Sequence, residues 1–325
     1  MVVAIRGGVQ LLTVTIWVAE VLHVMCRRQP SAARSHEALD APLFIHLSVA
    51  GNSTTVQWSL PVVTVETRRQ GRFALPGPQP QVAVLNAGAG RVWRGPVTKN
   101  ALLLQWLQEP GRGLDGLAVL IDGGDVIYGG CGEAALLRAY HAIASAGGGA
   151  KVVVSAEMGG FPTAMRSVQE GPGPSGRMDK VLAASGLQRD WAAPYVDCSR
   201  DTYTGPCSIT GVYRYLNYGF LMGPVGELRK LVSFVLAQGG NDQGQAARYC
   251  FSHPDVCTLD YGGLLSLSLH NFKRSIDEGP LAFQSVDGHS VVYNRATQKV
   301  ACFVHGNGNG KALVKEIAQR VAQAE

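Results

Sequence analysis

The segment VLIDGGDVIYGG, residues 119–130, decides how this chain is organised. An apolar run ends in two aspartates three residues apart, Asp122 and Asp125, which flank a glycine turn. Such turns are common without a function, because Asp hydrogen-bonds its own backbone and Gly accepts positive φ. The alternative is a divalent-cation site, since two carboxylates at the end of a strand offer the oxygen ligands that Mg²⁺ and Mn²⁺ prefer. From this motif alone, both interpretations stay open.

The segments around this turn alternate between two kinds of pattern. Near-continuous apolar runs predict strands, at 42–51, 82–85, 117–122 and 150–157. Amphipathic periodicity predicts helices, at 102–110, 133–147, 226–240 and 312–325. The first of these helices is expected to stop at Pro110 and Gly111. Strands that alternate with helices and are apolar on both faces predict an α/β fold with a parallel sheet covered on both sides.

Composition is that of a globular protein with one large domain. The 325 residues are 46% hydrophobic and 16% charged, and the net charge is only +5. Arginines are scattered and form no long basic run, so nucleic-acid binding is not indicated. We expect one domain over 40–325, with a glycine- and proline-rich surface insertion over about 163–212.

The N-terminal 1–35 segment predicts entry into the secretory pathway. Arg6 precedes an apolar stretch from Val9 to Met25, and two arginines close it. The stretch is interrupted by polar residues, which suits a signal peptide or signal anchor better than a full membrane span. An ordinary N-terminal helix is the alternative. The sequon Asn52-Ser53-Thr54 is compatible with a glycoprotein of the endoplasmic reticulum or Golgi lumen.

Seven cysteines also favour an oxidising compartment. Cys198 and Cys207 bracket one short loop, and Cys250 and Cys257 bracket another, so either pair can form a disulfide. Neither pair has the CxxC spacing of a zinc ribbon, which argues against structural zinc.

A third glycine loop follows the predicted strand that ends in VHGNGNGK. It does not fit a P-loop, because His305 and Ala312 stand where Gly and Ser/Thr are required. The loop after Leu85 likewise lacks the third glycine of a dinucleotide-binding motif. His305, with a neutral ring nitrogen, can instead complete a metal set with the two aspartates. Beside it, Lys311 and the amides of Gly306 and Gly308 suit an anionic diphosphate.

The order of these motifs resembles one known family. It runs through VAVLNAG-x-x-x-VWRG (83–95), VLIDGGDVIY, VVVSAEMGGFP (152–162), YRYLNYGFLMG (213–223), NDQ (241–243), LDY (259–261) and VHGNG (304–308). This series is similar to the glycosyltransferase domain of procollagen lysyl hydroxylases and the related collagen-type galactosyl- and glucosyltransferases. The similarity extends from about residue 80 to 312.

The resemblance implies a GT-A fold, with a Rossmann-like mixed sheet flanked by helices, a UDP-sugar donor and Mn²⁺ or Mg²⁺. It also implies a role for each matching residue. The metal would be held by Asp122, Asp125 and His305; the donor would meet Trp93, Lys99 and Lys311; the acceptor side would be lined by Asn217 and Asp242, with Glu157 near the sugar.

These expectations combine into one hypothesis and one alternative. The hypothesis is a metal-dependent hexosyltransferase that moves glucose or galactose from a UDP-sugar to a protein hydroxyl, such as hydroxylysine in a collagen-like partner. Asp242 would orient or deprotonate that hydroxyl, although it equally suits a helix N-cap. The alternative is a non-catalytic domain that binds UDP-sugars or glycans on the same fold.

Overall fold

The structure, a computed structural model, describes residues 55–56, 58–68, 81–157, 159–162, 213–270, 281–286, 289–294 and 297–324. The predicted leader, the strand at 42–51, the sequon and the predicted insertion at 163–212 lie outside these residues. Among the described helices, none is long and apolar enough to cross a membrane.

A six-stranded sheet forms the centre of the described domain. Its spatial order is β4 (Val84–Asn86), β2 (Val62–Val65), β5 (Leu117–Asp122), β8 (Tyr215–Pro224), β7 (Val152–Glu157) and β9 (Cys257–Asp260). Its central strands are almost wholly buried: β7 is buried at every position, and β8 at all but Pro224. The strands predicted at 82–85, 117–122 and 150–157 are thus confirmed, the first of them with a break after Val82.

The direction of β8 corrects the expectation of an all-parallel sheet. Strand β8 is antiparallel to both of its neighbours, β5 and β7, while the other pairings are parallel. Apolar runs show that a strand is buried on both faces, but they do not show its direction. The α/β class is confirmed, and the sheet is mixed, as the family resemblance implied.

Smaller sheets lie beside the main one. Strands β10 (Ser266–Ser268), β14 (Phe303–His305) and β6 (Val126–Tyr128) form a three-stranded sheet in that order. An antiparallel meander is formed by β11 (Leu281–Val286), β12 (His289–Asn294) and β13 (Lys299–Val300). In a further small sheet, β1 (Thr55–Val56) pairs with β3 (Gln81–Val82). The four residues Asp122 to Asp125 therefore carry the chain from the main sheet into the β10–β14–β6 sheet.

Five α-helices accompany the sheets in the described residues. They are α1 (Pro96–Leu107), α2 (Glu133–Ala146), α3 (Val225–Gln238), α4 (Asp242–Ser252) and α5 (Lys311–Ala324), the last preceded by a 3₁₀ turn at Gly308–Gly310. Helix α1 packs on α3, and α3 on α4, while α2 contacts β7 and β9. Helix α1 begins six residues earlier than predicted, because Pro96 suits the first helical position.

Two disulfides lie within the described residues. The predicted Cys250–Cys257 bond is present, and a second bond joins Cys131 to Cys302 across 171 residues. This second pair was not among the predictions from the sequence. The predicted bond between Cys198 and Cys207 falls outside the described residues.

The buried carboxylate of Asp260 organises the turn that leads from β9 to β10. It is 0% exposed and accepts hydrogen bonds from the backbone N–H groups of Leu264, Leu265 and Ser266, at 3.0, 2.7 and 3.0 Å. Burial nevertheless raises the pKa of Asp260 to about 6, against the lowering effect of these hydrogen bonds. Where the chain leaves the main sheet, the carboxylate thus accepts the hydrogen bonds that the backbone of a neighbouring strand would accept within a sheet.

We expect Asp260→Ala to lower the free energy of unfolding by about 3 kcal/mol or more, because each buried donor left unpaired costs about 1–3 kcal/mol. Urea unfolding at pH 7.5 measures this. Asp255→Ala, an exposed aspartate on the preceding turn, is the matched control and should change stability by less than about 0.5 kcal/mol. Equal losses in the two variants would contradict the assigned role.

Candidate metal centre and its cavity

Asp122, Asp125 and His305 meet where the six-stranded sheet adjoins the β10–β14–β6 sheet. Asp122 ends β5, Asp125 lies on the following turn, and His305 ends β14. One ligand atom from each residue lies within 4.8 Å of the others. The carboxylate oxygens closest to His305 Nε2 are Asp125 Oδ1 at 3.5 Å and Asp122 Oδ2 at 3.8 Å. Residues 180 positions apart in sequence thus form the predicted set.

The glycines of the DGGD turn are required by close backbone packing. A Cβ on Gly123 would lie 2.7 Å from the carbonyl oxygen of Val65, which is too short for any real contact. Gly124 adopts φ +89°, a conformation that side chains disfavour, and the side chains of Glu66 and Arg68 fill the space beside it. The turn can therefore fold tightly against the end of β2, which brings its aspartates to the sheet edge.

Asn217 fixes the orientation and the tautomer of His305. Its Nδ2 donates to Glu157 Oε2 at 3.1 Å, so its Oδ1 faces the histidine. That oxygen also accepts from the Gly219 N–H at 2.9 Å and lies 3.0 Å from His305 Nδ1. Because Oδ1 can only accept, Nδ1 carries a proton, so in the neutral ring Nε2 is the nitrogen whose lone pair can bind a cation beside the aspartates. This is the arrangement of a metal-binding histidine with its supporting partner.

The chemistry of His305 Nε2 fits a bound cation. This atom is buried and, within the described structure, has no hydrogen-bond partner. Burial disfavours the imidazolium, but the carboxylates of Asp125 and Asp122 outweigh it and raise the pKa of His305 above its usual value. A divalent cation would therefore displace a proton from Nε2 and satisfy an otherwise unpaired atom.

Two lysines divide the carboxylate oxygens of the cluster. Lys99 Nζ lies 2.5 Å from Asp122 Oδ1, and Lys311 Nζ lies 3.4 Å from Asp125 Oδ2. In each aspartate, the oxygen nearer to His305 is the one that the lysine leaves free. The lysines thus hold the carboxylates by their outer oxygens, and the inner oxygens remain for a cation.

A cavity of roughly 480 Å³ opens beside this cluster. Its charged lining consists of four carboxylates and three cations, namely Glu66, Asp122, Asp125, Asp242, Lys99, Lys311 and Arg68. The formal excess is one negative charge, which a divalent cation would turn into an excess of one positive charge. Helix α5 begins at Lys311, and helix N-termini favour anions. Trp93 is 51% exposed at the cavity and offers an aromatic surface. The lining therefore suits a cation together with an anionic ligand.

Asp242 lines the same cavity, but it does not cap its helix. Its Oδ2 lies 3.7 Å from Lys99 Nζ, and its Oδ1 accepts from the backbone N–H of Gln243 at 2.9 Å. The N-cap of α4 is the preceding Asn241, whose Oδ1 accepts from Gly244 N at 2.8 Å. The capping interpretation of Asp242 is thus wrong by one residue, because the extended backbone of the cap falls at Asn241.

Glu157 lies behind the cluster as the centre of a buried polar network. Its carboxylate accepts from Asn217 Nδ2, from Gln243 Nε2 at 2.6 Å and from Asn307 Nδ2. These partners belong to β8, to α4 and to the loop after β14. Burial raises the pKa of Glu157 to about 7, although the same hydrogen bonds oppose the rise. Glu157 therefore joins three elements that surround the candidate site.

The predicted glycines of the last loop have different surroundings. The N–H of Gly306 donates to the carbonyl oxygen of Asp125 at 2.8 Å, so this donor is already engaged within the protein. Gly308 is exposed at φ +57° and begins the 3₁₀ turn. A diphosphate-binding role for either glycine stays a prediction, as do the roles of Trp93, Lys99 and Asn217. Of these, Asn217 is 2% exposed and lies behind His305.

Two features of the site were not predicted from the sequence. One is the ion pair between Glu66 and Arg68 at the end of β2, which lines the cavity beside Gly124. The other is the Cys131–Cys302 disulfide. The second had a visible signal, since Cys131 follows the DGGD motif closely and Cys302 stands three residues before His305.

Comparisons with known proteins find similarity in structure rather than in sequence. No protein-family model matches the chain, and no curated protein matches its sequence. Among solved structures, the apo form of mouse xyloside xylosyltransferase 1 is similar, with 14% identity and a TM-score of 0.31. The match covers 65% of this chain and 64% of that chain, so less than two thirds of that structure is spanned. A likeness of this degree assigns neither activity nor substrate.

Gly219 provides a test of the His305 geometry. A Cβ at this position would overlap the His305 imidazole, so we expect Gly219→Ala to displace the ring and to weaken Mn²⁺ binding about 10- to 100-fold. Electron paramagnetic resonance of free Mn²⁺ measures the affinity. Gly113→Ala is the control, because a Cβ there has no atom within 4 Å. Unchanged affinity in Gly219→Ala would show that the ring position does not matter.

The buried carboxyl of Glu157 predicts a pH dependence of stability. With a folded pKa of about 7 against an ordinary 4.5, the folded state binds the extra proton, so stability is lost as pH rises from about 5 to 8. The Glu157→Gln variant has no titratable group at this position. We expect the metal-free variant to gain on the order of 2 kcal/mol relative to wild type over this range. Parallel urea unfolding curves of the two proteins would contradict the shift.

Proposed function

We propose that this chain is a metal-dependent glycosyltransferase that uses a nucleotide-sugar donor. The observation that carries the proposal is the junction of the Asp122–Asp125–His305 cluster with a cavity whose lining suits a cation and an anionic ligand together. The order of motifs in the sequence, which resembles collagen-type glycosyltransferases, supports the same conclusion. We propose further that the mixed sheet and its helices form a fold of the GT-A type.

A divalent cation held by the three side chains would neutralise the charge that develops on a departing diphosphate. The protein's own contribution is the preparation of that site. Asn217 holds His305 in the tautomer that leaves Nε2 unprotonated, while Lys99 and Lys311 hold the outer oxygens of the aspartates. Ligands held in advance need no reorganisation during reaction, which is the main source of electrostatic catalysis.

Other cavity residues supply binding and orientation. Lys311 is more than half exposed beside Asp125, so its ammonium can reach a phosphate oxygen while it remains near the carboxylate. Trp93 offers a face on which a planar base can stack. Asp242 presents a carboxylate to the same cavity and can accept a hydrogen bond from an acceptor hydroxyl.

The finer proposal concerns donor, acceptor and location. The donor is proposed to be UDP-glucose or UDP-galactose, the cation Mn²⁺ or Mg²⁺, and the acceptor a protein hydroxyl such as hydroxylysine in a collagen-like chain. These assignments rest on the family resemblance. The N-terminal segment and the disulfides support a location in the endoplasmic reticulum or Golgi lumen, with a membrane tether as one form of the leader.

The test is release of UDP by the purified full chain across a panel of UDP-sugars, with Mn²⁺ and again with EDTA. For one sugar we expect metal-dependent release that falls about 100-fold or more in Asp125→Asn, because an amide holds a divalent cation more weakly than a carboxylate, and that cation would neutralise the leaving group. Asp255→Asn, an exposed aspartate, is the matched control and should retain full release.

Two other outcomes would change the proposal. Binding of UDP that requires Mn²⁺, without release from any sugar or acceptor, would favour the non-catalytic binding domain. Absence of both metal binding and UDP binding would refute the metal-site assignment and the transferase with it.

A further inference from the structure

The Cys131–Cys302 disulfide joins the two strands that meet at the metal cluster. Cys131 lies three residues after β6, and Cys302 directly precedes β14. Strand β6 begins one residue after Asp125, and β14 ends at His305. The disulfide therefore closes one end of the β6–β14 pair, and two of the three proposed ligands lie at the other end.

The hydrogen bonds of this pair run from the disulfide to the ligands without a break. The N–H of Gly129 donates to Cys302 O at 2.8 Å, beside the disulfide. The register then pairs Tyr128 with Phe303 and Val126 with His305. The N–H of Gly306 donates to Asp125 O at 2.8 Å, beside the ligands. One short ladder of backbone hydrogen bonds thus links the disulfide to His305 and Asp125.

This ladder is short, and its register is critical. Each strand has three residues, and within the described sheets β6 pairs with β14 alone. Side chains alternate between the faces of a strand, so a slip of one residue would turn His305 away from the aspartates. A covalent bond at one end opposes that slip, because it joins the two buried residues Cys131 and Cys302 directly.

We propose that the Cys131–Cys302 disulfide is a positioning element of the metal centre. By fixing the β6–β14 register it holds His305 against Asp125 at the separation that a cation requires. The inference rests on the proposed metal-dependent function. It assigns to these cysteines no contact with substrate or metal, and it makes the affinity of the centre depend on the oxidised state of this one bond.

The chain contains a matched control in its second disulfide. Cys250 and Cys257 are seven residues apart and join the end of α4 to the start of β9. Neither of these elements carries a residue of the Asp122–Asp125–His305 cluster. Removal of this bond tests whether loss of a disulfide in general affects metal binding. Leu228→Ala, which leaves a cavity in the buried face of α3, controls for loss of stability alone.

The experiment compares Mn²⁺ affinity in four full-length proteins, by electron paramagnetic resonance at a temperature where each is folded by circular dichroism. They are the wild type, Cys131→Ala/Cys302→Ala, Cys250→Ala/Cys257→Ala and Leu228→Ala. We expect the first double variant to bind Mn²⁺ about 10- to 100-fold more weakly, as when groups that orient metal ligands are removed. The two controls should stay within about twofold of wild type.

Each outcome bears on a different part of the inference. Wild-type affinity in Cys131→Ala/Cys302→Ala would overturn the positioning role and leave the proposed transferase intact. Equal weakening in all three variants would show that stability, not register, controls the affinity, and would also overturn it. No Mn²⁺ binding by the wild type would refute the metal centre, and the inference with it.

A second measurement applies if the first double variant does not fold. The Cys250→Ala/Cys257→Ala protein is reduced with a phosphine, and the reductant is removed under argon. Loss of the Cys131–Cys302 bond is then quantified by mass spectrometry after thiol labelling of a denatured sample. The fraction of molecules that bind Mn²⁺ with the affinity of the oxidised protein should fall in proportion to the reduced fraction. Full affinity with this bond reduced would overturn the proposal.

Discussion

The contact between His305 and the two aspartates is the constraint on which the described structure depends. Asp122 belongs to the main sheet, whereas His305 belongs to the β10–β14–β6 sheet, so the cluster exists only if these two sheets meet at one place. The four-residue turn from Asp122 to Asp125 makes that junction short, and its glycines allow it to pack against the end of β2. A longer or bulkier turn would separate the ligands.

The site is supported from behind by uncharged amides and one buried carboxyl. Asn217 links Glu157 to His305, and Gln243 and Asn307 bind the same carboxyl. Such a network is stable only when each of its polar groups is paired, because an unpaired group in a dry interior is costly. The network therefore ties β7, β8, α4 and the last glycine loop to one geometry.

The charged groups of the cavity are likewise paired with one another. Lys99 is buried and lies between Asp122 and Asp242, with its ammonium also donating to the carbonyl oxygen of Tyr218 at 3.0 Å. Carboxylates crowded at one sheet edge would repel each other without such a cation. The lysine relieves this repulsion on the outer side, so the inner oxygens can stay close enough to share one divalent ion.

The sequence by itself determined the α/β class, most of the strands and helices, and the residues of the Asp122–Asp125–His305 cluster. Apolar periodicity and turn chemistry are local properties, and the family resemblance linked the separate motifs. The reversed direction of β8, the Glu66–Arg68 pair, the Cys131–Cys302 bond and the support of His305 by Asn217 were decided only by the tertiary structure. Each of these joins residues through space: Cys131 and Cys302 are 171 residues apart, and their pairing depends on which strands become neighbours. Local patterns specify whether a strand is buried, but only the packing of the whole domain specifies which strand lies beside it.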